Sequence, residues 1–399
     1  MTATYDLLSP ALFAEPYPTF DLMRQSDPLY FHEPMGVWFT TRYQDVRIVN
    51  RDSRFSSARV DAFMPPGTDG KTQALRQFYT DWMLFSDAPE HTRLRRLAAR
   101  AFTARNIAAL ESFVQRAVDE ALDRVKGRDQ IDIIADFGFP VPARVIAHML
   151  GVPPDRVDDF EQWSENLLRV PSLVGDPDEN FAISYQAMRD QEEYFRGLIA
   201  ERRAAPTEDL LSVMVHASED GTALSERELI AQCALLLIAG HETTTNLIGN
   251  ATLALLRNPG ELARLRAQPD LAEAAVEEFL RYDGPVAANA RQATEDVTLS
   301  GGVVPAGAVV MAVLPAANRD PAVFPDPGRL DVGRGDNRHI AFGFGPHACL
   351  GAALARMETK IAMTALLARY PRMELAVSEP DPIVSWAIRG VTSLPVSVG

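Results

Sequence analysis

A predominantly helical fold with a smaller β-rich region is what the 399-residue sequence predicts, and three patterns carry it. Apolar residues at helical spacing fill most of residues 104–217, interrupted by stop signals such as Gly151-Val-Pro-Pro and Gly175-Asp-Pro. A second pattern continues without proline from Ser225 to Arg257 and reads as one very long, largely apolar helix. Strand signals are confined to short stretches near residues 29–41 and 286–313.

In chain order, Tyr17 to Arg24 reads as a short helix, followed by paired strands at Leu29 to Glu33 and Val37 to Thr41 around Pro34 and Gly36, then a helix at Tyr43 to Val49. Residues 52–86 lack clear periodicity yet carry Phe63, Met64, Phe78, Tyr79, Trp82, Met83 and Phe85. The expectation is a loop that covers something, either its own domain or a cavity. Residues 87–102 open on Asp87 as a possible cap and Pro89 near the first turn, then continue as a helix. His91 and Arg95, four apart, share one face of it, while Arg93, Arg96 and Arg100 project elsewhere.

Further helices are expected over 104–126, 137–150, 155–168, 179–205 and 209–217, with an apolar connection from Arg169 to Asp178. Ser225 and Glu228 form a capping box that starts the long helix, and Asn258-Pro259 ends it. Inside that helix lies AGHETT, residues 239–244. A glycine followed by charged and hydroxylic residues weakens a buried helix and adds polar groups that need partners, and such misfits often mark sites. Residues 271–283 form another amphipathic helix, with Glu278 and Arg281 three apart, and VAANAR and VTLSGGVVPAGAVVMAV supply a strand and a Gly-rich hairpin.

The most specific stretch is FGFGPHACLG, residues 342–351, where one of only two cysteines sits among three glycines just ahead of an amphipathic helix. Cys349 reads as an axial thiolate ligand of haem iron, because a thiolate is stabilised at a helix N-terminus and donates electron density that favours O–O cleavage. Gly343, Gly345 and Gly351 let the backbone turn sharply and run close beneath a flat macrocycle. A free core cysteine in a Gly-rich turn is the alternative for this stretch taken alone.

The pattern F-G-x-G-x-H-x-C-x-G, here Phe342, Gly343, Gly345, His347, Cys349 and Gly351, resembles the haem-binding signature of the cytochrome P450 monooxygenases. Two further matches follow: Ala239, Gly240, Glu242 and Thr243 fit the family's A-G-x-(D/E)-T, and Glu278 with Arg281 fits its E-x-x-R. The resemblance implies a single P450 domain over residues 1–399, with haem b (iron protoporphyrin IX) between the long helix and the cysteine loop. It implies Cys349 as metal ligand, and His91, Arg95, Arg291 and His347 at the haem propionates. Ala239 and Gly240 would leave room for O2 over the iron, and Glu242 and Thr243 would be the catalytic acid and alcohol that deliver protons. His241 reads as a structural histidine. Glu278 and Arg281 would form a buried structural network with a third arginine, to which Arg329 fits. Residues 286–290 and 383–388 would face a roomy, apolar substrate pocket, and Arg169–Asp178 its roof.

Composition agrees with this reading. Thirty-nine basic against 54 acidic residues give a net charge of −15, which argues against nucleic acid as a partner. Two cysteines in separate motifs suit a reducing cytoplasm, and the first residues carry neither an export signal nor an apolar membrane anchor. The expectation is therefore a cytoplasmic monomer, of the soluble bacterial kind, that oxidises a small-molecule substrate with O2. Electrons would come from NAD(P)H through a separate ferredoxin and ferredoxin reductase, since the chain carries no flavin or iron–sulfur segment. Arg93, Arg96, Arg100, Arg338 and Arg356 could form a basic docking patch. A peroxide-driven haem-thiolate oxidase and a haem-based gas sensor or carrier are the alternatives, and the retained Glu242–Thr243 pair speaks against both.

Overall fold

A computed structural model describes residues 4–64, 67–172, 176–219 and 222–399. The chain divides into two compact units of alternating segments: Met1–Phe55, Glu111–Pro142 and Thr243–Gly399 in the first, Ser56–Leu110 and Ala143–Glu242 in the second.

The first unit contains the main sheet. Strands β1 (Leu29–His32) and β2 (Val37–Thr40) pair antiparallel, turning through Gly36 at φ 64°, and β2 runs parallel to β4 (Val309–Val313), which pairs antiparallel with β3 (Ala288–Ala293). Helix Tyr43–Arg51 lays Val46 and Val49 onto this sheet in one core with Val310, Ala312, Phe324 and Ile340. Burial of that apolar face, worth roughly 25 cal/mol per Å² removed from water, is what fixes the strand register.

Beside it, helix Ala272–Asp283 buries both Glu278 and Arg281 completely. Arg281 donates to both carboxylate oxygens of Glu278 at 2.7 and 2.8 Å and spends its remaining donors on the carbonyls of Asn318, Pro327 and Arg329. The third arginine is Arg334, not Arg329. Arg334 donates to Glu278 at 3.1 Å, whereas the Arg329 side chain is 64% exposed and contributes only its backbone carbonyl. Proline- and glycine-rich turns have no period, so spacing could not tell the two apart.

The second unit corrects the reading of residues 52–86. Instead of an irregular loop it holds helices Val60–Phe63 and Gly70–Thr80, the latter capped by Asp69, which accepts from the N–H groups of Lys71 and Thr72. Its large side chains bury one another: Phe63 meets Tyr79 and Phe85 at 5.7 and 5.2 Å, and Trp82 stacks on Phe85 at 5.9 Å. Asp87 does not cap the following helix either. Its carboxylate is taken by the Ser56 hydroxyl and the Ser57 N–H, and helix Glu90–Ala99 starts behind Pro89. Helices Val157–Ser172 and Pro177–Ala204 pack through Phe160 against Tyr194 and Phe195. The expected roof at 169–178 is helical through Ser172; Leu173 and Val174 lie outside the described residues.

The long helix is Glu226–Arg257, 32 residues, opened by the expected capping box: Glu228 accepts from the Ser225 N–H at 2.7 Å and donates its own N–H to the Ser225 hydroxyl at 3.3 Å. Its first part, to Glu242, belongs to the second unit, and from Thr243 onward it belongs to the first. Among the described residues, no helix is long and apolar enough to cross a membrane.

Candidate functional site

In the first unit, the segment Phe342–Gly351 folds back on itself. The Cys349 N–H donates to the Phe342 carbonyl at 2.8 Å, and Ala348 N–H to that of Gly345 at 3.0 Å. Gly343 and Gly345 sit at φ 73° and 81°, in the left-handed region that side chains disfavour. At Gly345 a Cβ would also stand 2.8 Å from the Asn50 carbonyl oxygen, so only glycine fits there. The loop is further held by Arg47, whose guanidinium lies 4.3 Å from the Phe344 ring centroid. Helix Ala352–Arg369 begins just after Cys349, with Gly351 at its N-cap. The Cys349 thiol is exposed. Cys233 is buried, and burial pushes its thiol well above the ordinary range, leaving it inert.

Gly343 lies against β3: a Cβ there would meet Asn289 Nδ2 at 3.5 Å, and Asn289 is itself bound to Asn50 at 2.7 Å. Arg291, two residues along the same strand, is buried and donates to the Ala290 carbonyl at 2.7 Å. The turn at 383–388 is tied to the start of this segment through the Val286–Ile388 bridge and the Ala287 N–H to the Ala387 carbonyl at 3.1 Å. His347 is half-buried in the loop, and Thr243, also half-buried, heads the first unit's part of the long helix.

In the second unit, His91 is buried and Arg95 half-buried, one turn apart on helix Glu90–Ala99. Arg93 on that helix forms an ion pair with Glu228 and so ties it to the start of the long helix. Ala231 to Ile238 are all buried, yet Ala239 is exposed, a local opening in an otherwise covered helix. Gly240 meets a packing demand: a Cβ would lie 2.8 Å from Ile146 Cγ1, so its absence lets helix Pro140–Met149 come close. His241 is buried, bonded through Nδ1 to the Leu237 carbonyl at 2.8 Å, and burial lowers its pKa, as fits a neutral structural residue. Burial, with Glu165 adding repulsion, pushes the Glu242 carboxyl up to about 7.

These features suit an iron porphyrin. An exposed thiol leaves a soft ligand accessible, glycines of left-handed backbone let the chain run flat, and buried cationic side chains are the natural partners of carboxylates. A thiol loop of this form on a helical scaffold defines the class of haem-thiolate oxidoreductases. The Cytochrome P450 family model matches residues 37–396. Cytochrome P450 107B1 of Saccharopolyspora erythraea is 42% identical over 383 residues, covering 92% of this chain and 90% of that protein. Cytochrome P450 monooxygenase PikC of Streptomyces venezuelae is 41% identical, covering 96% and 91%. Among solved structures, the Bacillus subtilis bacillaene polyketide synthase cytochrome P450 PksS superimposes with a TM-score of 0.90 at 37% identity, covering 99% of this chain and 100% of that one. The chain belongs to the cytochrome P450 family. It is a monooxygenase of the kind that binds haem b through a cysteine thiolate.

Proposed function

We propose that this chain inserts one oxygen atom of O2 into a largely apolar small organic substrate of bacterial secondary metabolism, polyketide, terpenoid, steroid or peptide-like. Electrons would come from NAD(P)H through a separate ferredoxin and ferredoxin reductase, and the enzyme would act as a cytoplasmic monomer over a single domain, residues 1–399. The name of the polyketide-biosynthesis relative PksS, 37% identical, supports the substrate class. When bound, the haem supplies electron transfer and O2 activation.

The protein's share is donation, orientation and protons. Cys349 ligates the iron as thiolate. Phe342, Gly343 and Gly351 shape the loop that would carry the haem, and His91, Arg95, Arg291 and His347 would hold its propionates through charge-assisted hydrogen bonds. Ala239, exposed on its helix, would leave room for O2 beside a bound haem, and Gly240 lets that helix pack against Ile146. Glu242 holds a proton at a carboxyl poised near neutrality and passes it inward, and the Thr243 hydroxyl orients the acceptor of that proton.

One observation carries this reading: the exposed Ala239 and the near-neutral Glu242 together interrupt a helix whose preceding residues 231–238 are buried. The test is Thr243→Ala, assayed as product and hydrogen peroxide formed per NADPH consumed, with a substrate that lacks hydroxyl groups. Haem content and substrate binding should be unchanged, while reducing equivalents shift from product to peroxide by tenfold or more, the scale of a lost proton-transfer group. Full coupling in the variant would remove Thr243 from the mechanism.

A further inference from the structure

Arg356, expected on a docking patch for an electron donor, is 41% exposed and is paired with Glu277. Its Nε and one terminal nitrogen grip both oxygens of Glu277 at 2.6 and 2.9 Å. The planar fork is thereby fixed, as a lysine could not be. Glu277 also accepts from His339, whose Nε2 lies 3.0 Å from Oε2. On its other side, His339 Nδ1 accepts the Ala341 N–H at 3.2 Å, which leaves Nε2 to donate to Glu277. His339 and Arg356 together hold the Glu277 carboxyl at about 2, against the cost of its burial.

So anchored, the guanidinium lies 4.5 Å from the centroid of Phe342, and the His339 ring approaches the same phenyl at 6.0 Å. A cation over an aromatic face is attracted to it and limits how the ring can move. Phe342 is the residue whose carbonyl accepts the Cys349 N–H at 2.8 Å. A continuous chain of contacts thus runs from Glu277 through Arg356 and Phe342 to the backbone of the cysteine. Electrostatics point the same way: Glu277 first, and the Cys349 charge as well, hold Arg356 above its ordinary pKa.

We propose that Arg356, locked by Glu277 and His339, is the positioning residue of the Cys349 loop: it clamps Phe342, and its fixed positive charge restrains electron donation by the thiolate. This rests on Cys349 being the iron ligand. Removing the charge destabilises the added electron of the ferrous state and leaves the sulfur a stronger donor. Both effects make reduction harder.

The test is potentiometry of the haem-loaded enzyme with Arg356→Met, Arg356→Lys and Glu277→Gln, alongside the carbonyl spectrum of the reduced protein and the rate of haem loss on warming. Arg356→Met should shift the ferric–ferrous potential to more negative values while keeping the red-shifted thiolate carbonyl band. Arg356→Lys should recover most of the potential but lose haem faster than wild type, because the charge returns without the bidentate grip. Glu277→Gln, which removes the anchor and a negative charge while keeping that of Arg356, should lose haem faster than wild type at a potential no more negative than that of wild type. Unchanged potential and haem retention in Arg356→Met overturn the proposal, as does slower ferredoxin-driven reduction at unchanged potential, which would make Arg356 a docking residue. If Arg356→Met takes up no haem, Arg356→Lys decides: wild-type haem retention there refutes the clamp. A wild-type enzyme without the thiolate band would instead refute the ligand assignment itself.

Discussion

Glu242 sits where a small change of pH alters its proton occupancy, because burial and the repulsion of Glu165 place its carboxyl at about 7. In the proposed role of proton donor it would work in its protonated form, which dominates below that value and is lost above it. Coupled turnover with saturating ferredoxin should therefore fall as pH rises through about 7, approaching tenfold per unit well above it. Glu242→Gln should be slower throughout and flat across the same window. His241, bonded to the Leu237 carbonyl and lowered in pKa by burial, is not expected to contribute to the profile. A wild-type profile without an inflection near neutrality would remove Glu242 from proton delivery. The misfit AGHETT was legible in the sequence, since polar groups stand out in an apolar helix. The carboxyl's pKa was not, because Glu165 lies on another helix and only folding brings its charge to bear. Glu358 escaped notice for a related reason. It has the spacing of an ordinary charged helix residue, yet it is buried, Oε2 has no hydrogen-bond partner among the described residues, and burial raises its pKa well above the usual value.

At the scale of elements, the sequence was most informative where one local rule decides the outcome. Ser225 and Glu228 announce the start of the long helix, and alternation with glycine turns announces β1 to β4. It failed where tertiary contacts decide. Helix Gly70–Thr80 carries Leu75, Phe78 and Tyr79 at helical spacing behind the Asp69 cap, but glycine at its first position and the crowd of aromatics around it masked the pattern. The support of the cysteine loop shows the same limit, since only folding brings Arg334 rather than Arg329 to Glu278. Arg334→Met would leave part of a fully buried carboxylate uncompensated and should cost about 3–5 kcal/mol, with a matching loss of haem on purification. Arg329→Met removes an exposed side chain and should stay within about 0.5 kcal/mol of wild type. Thermal unfolding of the two variants side by side checks this, and equal losses would contradict the network as drawn.

For the whole molecule, the net charge of −15 and the basic groups on its surface pull in opposite directions on an acidic electron donor. Arg93 is paired with Glu90 and Glu228, Arg338 with Asp336 and Arg356 with Glu277, so an acidic neighbour reduces the long-range field of each, while Arg356 still acts at close range on Phe342. Arg96 and Arg100 also have interaction partners, and both are exposed. Long-range repulsion from the whole surface is screened beyond about 8 Å at physiological ionic strength, whereas close contacts at a docking site are screened less. The rate of the first electron transfer from ferredoxin, followed by trapping the reduced enzyme with carbon monoxide, should therefore depend only shallowly on salt. Changing Arg96 and Arg100 together to glutamate should lower that rate at least tenfold at low salt. It should also invert the dependence, so that added salt now speeds reduction by relieving repulsion. The carbonyl band and haem content serve as controls, because neither residue is part of the cysteine loop. If the double variant is reduced at the wild-type rate at low salt, the donor docks elsewhere. If the wild type itself speeds up steeply with salt, the net charge governs the encounter and no local patch overcomes it.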